Sequence, residues 1–232
     1  MKKRALFNEL IGYLDKKEAL IITGMRQVGK TTLMRQLYDH IDTREKLWFD
    51  FENPLDVKVF EDIDYNNIFK RLDSLAGGAK NKQLFVFIDE IQIFPEITKI
   101  IKYLLDHYRI KFIVTGSSNY YLKNLFPESL SGRKFLFQLD PLSFKEYLYF
   151  QDSISSDEIG ARQLSAAMRD SSVFTHKKFE TDYEDFLRYG GFPAVTLEKN
   201  KDVKKQILKN IFASFFEKDL KILSDYKDIQ EL

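Results

Sequence analysis

Residues 24–32 read GMRQVGKTT and follow the apolar run Ala19-Leu20-Ile21-Ile22. They fit the phosphate-binding loop pattern GxxxxGK[ST] without a substitution. Gly24 and Gly29 allow the backbone to fold around an anion with its N–H groups inward, where a Cβ would collide or restrict φ. Lys30 supplies a point charge for β- and γ-phosphates, and the Thr31 hydroxyl is the kind of hard oxygen that Mg2+ accepts beside a nucleotide. Thr31 is expected in the first turn of a helix, whose dipole and unpaired N–H groups favour phosphate. The flanks agree with this: the run before the loop is strand-like, and Leu33, Met34, Leu37, Tyr38 and Ile41 recur after it at helical spacing.

Working outward, LFVFIDEIQ at 84–92 is the second informative stretch. Five consecutive apolar residues predict a central, parallel strand buried on both faces, with Asp89 and Glu90 at its C-terminal end. Ligands of open α/β sheets bind at that end. Asp89 is placed to hold Mg2+ through its waters, and Glu90 to orient a water against the γ-phosphate. An apolar run ending in two acids is common by itself; its specificity comes from the phosphate loop some sixty positions upstream.

Further strands are predicted at 46–52 (KLWFDFE), at 111–116 (KFIVTG) and at 134–139, and helices at 2–18, 65–75 and 96–108. Asp50 and Glu52 read as a solvated strand end. Strand 111–116 runs into Ser117-Ser118-Asn119, short polar side chains that could either report on a γ-phosphate or cap the next helix. Arg133 precedes the last strand; its planar fork suits an oxyanion, and a surface role is equally compatible with the sequence. Five strands alternating with helices predict an α/β fold with a mostly parallel, three-layered sheet.

From residue 141 the texture changes. No further buried strand is evident, YEDFLRYGGFPAV at 183–195 is an aromatic helix stopped by Gly190-Gly191, and 203–223 carries Ile207, Leu208, Ile211, Phe212, Phe215, Phe216 and Leu220 on one broad face. The expected organisation is a core over 1–140, a small helical lid over 141–200, and a helix over 201–232 that leads to, and docks on, a missing C-terminal domain.

Composition narrows the classes. Hydrophobic residues at 44% and charged residues at 31% over 232 positions describe a globular chain with a proper core. The net charge of +1 gives no support to nucleic-acid or anionic-membrane binding. The absence of Cys excludes disulfides and thiolate metal sites and suits a reducing, cytoplasmic setting. His40, His107 and His176 lack ligand spacing, no apolar stretch approaches a membrane span of ~20 residues, and the basic start shows no export signal.

With these residues in place the chain resembles the AAA-type ATPases of bacteria and archaea that carry an uncharacterised C-terminal domain, a group near the signal-transducing STAND NTPases. The motifs that carry the resemblance are GMRQVGKTT at 24–32, WFDFENP at 48–54, IDEIQ at 88–92, TGSSN at 115–119, SLSGR at 129–133, PLSFKEYL at 141–148 and YGGFP at 189–193. The resemblance implies a P-loop sheet with a helical lid and an ATP or ADP·Mg2+ site formed by Gly24, Met25, Arg26, Gln27, Val28, Gly29, Lys30, Thr31 and Thr32. It also implies a sensor at Ser117 and Ser118, metal ligation by Thr31 and Asp89, and catalytic roles for Lys30, Glu90 and Arg133, the last in cis or in trans. The expected activity is an ATP-hydrolysing molecular switch that could self-associate and act on a protein or DNA partner through the missing region. A nucleotide-gated interaction module with little turnover, and a P-loop kinase, are the alternatives. A kinase would not need Glu90 and would want a basic lid that the sequence does not offer.

Overall fold

The structure, a computed structural model, describes residues 2–78, 82–116, 132–156 and 177–215. Strands β1 (Ala19–Thr23), β2 (Lys46–Asp50), β3 (Leu84–Asp89), β4 (Ile110–Gly116) and β5 (Lys134–Gln138) form one sheet in the order β2-β3-β4-β1-β5, and every neighbouring pair is parallel. Parallel neighbours need crossover connections, so helices pack on both faces. Side chains alternate accordingly. Ile21, Val86, Ile88, Phe112 and Val114 share one core cluster with Ile68 and Leu72 of α4 (Tyr65–Leu75) and Ile100, Ile101 and Leu104 of α5 (Ile97–His107). On the other face lies α2 (Lys30–His40), against β3 and β4; its Tyr38 meets Phe87 edge-on at 5.1 Å between ring centroids. Trp48 of β2 stacks on Phe87 at 6.0 Å, with the Arg35 guanidinium of α2 5.1 Å above its ring. A short helix α3 (Pro54–Lys58), capped by the Asn53 side chain, follows β2.

The register sets the edge that matters. Thr23 lies opposite Gly116 and Asp50 opposite Asp89, so β1 to β4 end together and place residues 24, 89 and 90 at one edge of the sheet.

The helix predicted over 2–18 is shorter, α1 (Ala5–Ile11). Gly12 follows, a residue that weakens helix interiors, and the chain continues in turns. A tertiary contact fixes those turns: Lys111, fully buried in β4, donates from Nζ to the carbonyls of Tyr13, Lys16 and Glu18 at 2.8, 2.7 and 2.6 Å. Burial pulls the Lys111 ammonium down to about 8, with the charges of Glu18 and Asp15 opposing.

Two compact units are distinguished within the chain. The sheet unit covers 6–24 and 30–139; the other gathers 2–5, 25–29 and the described part of 140–232. The second unit contains α6 (Phe144–Phe150), α7 (Glu180–Tyr189), α8 (Pro193–Leu197) and α9 (Lys201–Ser214). Helix α6 opens with a capping box in which Ser143 and Glu146 satisfy each other's backbone N–H. α7 ends at Gly190, whose φ of 72° and ψ of −170° belong to a region open essentially to glycine. Gly191 is needed for a different reason: a Cβ there would stand 2.2 Å from the Leu142 carbonyl oxygen.

Part of the apolar face expected over 203–223 lies within the described residues. Ile211 is buried with Tyr189 and Val195, and Ile207 and Leu208 pack on the same cluster, so three of the seven residues of the stripe are used inside this unit. Phe212 is 63% exposed; Phe216 and Leu220 lie outside the described residues. Among the described residues, no helix is long and apolar enough to cross a membrane.

Candidate functional site

Between β1 and α2 the backbone takes three positive φ values in six residues: Gly24 at 150°, Gln27 at 62° and Gly29 at 97°. A Cβ at Gly29 would meet nothing within 4 Å, so the conformation, not space, requires glycine there. This is the curled path that the sequence pattern demands.

At the sheet edge, Lys30 opens α2 and is only 5% exposed; its Nζ donates to the Gly24 carbonyl at 2.9 Å, spanning the loop's two ends. Lysines are seldom buried without a partner, and this one is held at the head of a helix, where an anion would sit. Thr31 and Thr32 follow in the first turn with exposed side chains.

The carboxylates lie at the same edge. Asp89, 5% exposed, accepts a hydrogen bond from the Thr115 hydroxyl of β4, and that hydroxyl oxygen in turn accepts from the Glu90 N–H at 3.2 Å. One threonine thus pins the end of β3 at two successive residues. Glu90 has φ 54° and ψ 48°, a left-handed conformation that costs a non-glycine residue free energy. Its carboxylate accepts from the Gln92 side-chain amide across the 3-10 turn at Ile91–Ile93.

The Thr31 hydroxyl and the Asp89 carboxylate are hard oxygen donors of the kind Mg2+ accepts. Mg2+ keeps several waters and takes one or two protein oxygens plus phosphate oxygens.

Ser117 and Ser118 lie outside the described residues. Arg133 is described, and the structure does not bring it to Gly24, where the loop begins. It precedes Lys134, which pairs with Ala19, whereas Gly24 follows Thr23, which pairs with Gln138. At a rise of ~3.3 Å per residue the two ends are about 20 Å apart along the strands. The Arg133 guanidinium instead pairs with Asp106 at 2.7 Å, an interaction that raises its own affinity for the proton and lowers that of Asp106. A role for Arg133 on the nucleotide of its own chain has no support from this arrangement.

Two partners escaped the sequence reading. Thr115 is visible only as the first letter of TGSSN at the end of a buried strand, and Gln92 only as the last letter of IDEIQ.

A fully parallel sheet, a glycine loop leading from its β1 strand into a helix, and two acids ending β3 define the P-loop ATPase fold class. The chain belongs to the AAA domain family, whose model matches residues 16–148, more than half of its length. It is 26% identical over 212 residues to an uncharacterized protein of Methanocaldococcus jannaschii, covering 91% of this chain and 44% of that one. It is 26% identical over 225 residues to an uncharacterized protein of Haemophilus influenzae, covering 95% and 50%. The chain therefore spans about half the length of these curated relatives. Among solved structures, the Walker-type ATPase of Pyrococcus abyssi superposes with a TM-score of 0.51 at 16% identity, covering 96% of this chain and 76% of that one.

Proposed function

We propose that this chain binds ATP with Mg2+ through residues 24–32 and hydrolyses it to ADP and phosphate, as a nucleotide-dependent switch. One observation carries the reading: an unsubstituted phosphate-loop sequence, whose lysine is buried at the head of α2, ends at the same sheet edge as Asp89 and Glu90. Membership of the AAA domain family supports it.

In this reading Lys30 exchanges the Gly24 carbonyl for β- and γ-phosphate oxygens, a gain because the new partners are anionic. Thr31 and Asp89 would hold Mg2+, which when bound offsets charge on the phosphates. Glu90 orients the attacking water and accepts its proton. In the present arrangement the Gln92 amide donates to that carboxylate, so a water must share or displace it. Ser117 and Ser118 are proposed to sense the γ-phosphate. Output is proposed to pass to a protein or DNA partner.

A titration with a fluorescent ATP analogue tests the loop. Lys30→Ala should lose binding while keeping the wild-type circular dichroism spectrum; a folded variant with unchanged affinity would remove the loop assignment. Product analysis then separates the alternatives. Free phosphate is the expected product, a phosphorylated acceptor would indicate a kinase, and tightly held ADP without turnover a gated binding module.

A further inference from the structure

We propose that Arg4 is a positioning residue for the phosphate loop: through one guanidinium it ties the loop's Val28 carbonyl to the start of α6, so that the loop and that helix share one conformational state. The assignment of a ligand to the loop rests on the proposed function; the clamp itself rests on contacts within a single compact unit.

Arg4 is 7% exposed and all three of its nitrogens are engaged. Nη1 donates to Val28 O at 2.8 Å, Nη2 to Asp140 O at 2.7 Å, and Nε and Nη2 to the two Glu146 carboxylate oxygens at 2.8 and 3.3 Å. A planar fork is the side chain that can meet three segments at fixed angles; a lysine ammonium cannot reproduce it. Glu146 is equally committed. Beyond Arg4 it accepts from the Ala5 N–H at 3.0 Å and the Ser143 N–H at 3.1 Å. Burial alone would push the Glu146 carboxyl up, and the Arg4 guanidinium with the two amides outweighs it and holds the group below the usual carboxylate range.

The contact at Val28 has a directional consequence. The peptide unit is planar and trans, so its C=O and the following N–H point opposite ways. Holding the Val28 carbonyl toward Arg4 therefore turns the Gly29 N–H away from Arg4 and fixes its direction, at a residue whose φ of 97° lies in the region that favours glycine. An anion-binding loop works through the directions of such N–H groups. Coupling between two sites is reciprocal, so a ligand that fixes the loop must also tighten the Arg4–Glu146 contacts.

The experiment uses the whole chain and Arg4→Lys, with amide hydrogen exchange and binding of a fluorescent ADP analogue as readouts. In nucleotide-free protein, amides of residues 25–30 should exchange about 10-fold faster in the variant, while those of β3 and β4 keep their rates; affinity for the analogue should fall by about 10-fold. The analogue should slow exchange at Ala5 and Ser143 in wild type and not in Arg4→Lys. If Arg4→Lys does not fold, Arg4→Met with Glu146→Leu removes both charges together, a change that buried ion pairs often tolerate, and the same readings apply. Loop amides at wild-type rates in a folded variant overturn the clamp. A wild-type chain that binds no analogue overturns the proposed function instead, and the nucleotide-free exchange still decides the clamp.

Discussion

Glu90 sits in a left-handed backbone conformation, has its N–H fixed on Thr115 and its carboxylate on the Gln92 amide. Residues held in sparsely populated conformations persist only where their surroundings over-determine them, and here a threonine and a glutamine supply that determination. The neighbouring Asp89 is buried and bonded to the same threonine, so the two acids differ in setting despite their adjacency. We propose different roles for them. Glu90→Gln should leave affinity for an ATP analogue unchanged and lower the steady-state rate of phosphate release by about 10²–10⁴-fold, the range for losing a positioned base. Equal losses of affinity and rate would mark Glu90 as structural.

Among the elements, the junction between α7 and α8 makes the sharpest demand on sequence. The Leu142 N–H donates to the Gly191 carbonyl at 2.6 Å, and the same approach leaves no room for a side chain at 191. Gly191→Ala must move backbone atoms, which costs about 1–3 kcal/mol for overpacking of this kind; chemical denaturation followed by far-ultraviolet circular dichroism would read the loss. The stop after Tyr189 could be read from the two glycines, but the separate reason for each could not, because the close approach of Leu142 is tertiary. The same division runs through the fold. The strands were legible because buried parallel strands are continuous apolar runs, as at 84–88, and the loop because its spacing is fixed by anion geometry. The early end of α1 was not, since it depends on Lys111 reaching carbonyls across roughly a hundred residues of sequence. Nor was the Arg4–Glu146 pair, whose members are 142 positions apart, although the capping box around Glu146 is written in the local sequence.

At the scale of the molecule, Arg133 poses a question of assembly. It lies at the sheet end opposite Gly24, bonded to Asp106, so an action on nucleotide requires a second copy of the chain. If Arg133 acts in trans, specific ATPase activity should climb with protein concentration, and Arg133→Ala should remove the climb; arginine fingers contribute ~10³–10⁵ in rate. A concentration series that stays flat in both proteins would exclude a role for Arg133 in trans. The single tryptophan of the chain, Trp48, belongs to the sheet unit, stacked on Phe87 beneath Arg35. Its emission is therefore a private signal of that unit's integrity, whereas helical ellipticity is summed over both. Heating the protein while recording the two together measures whether the units melt as one cooperative body or in succession, without a label or a substitution.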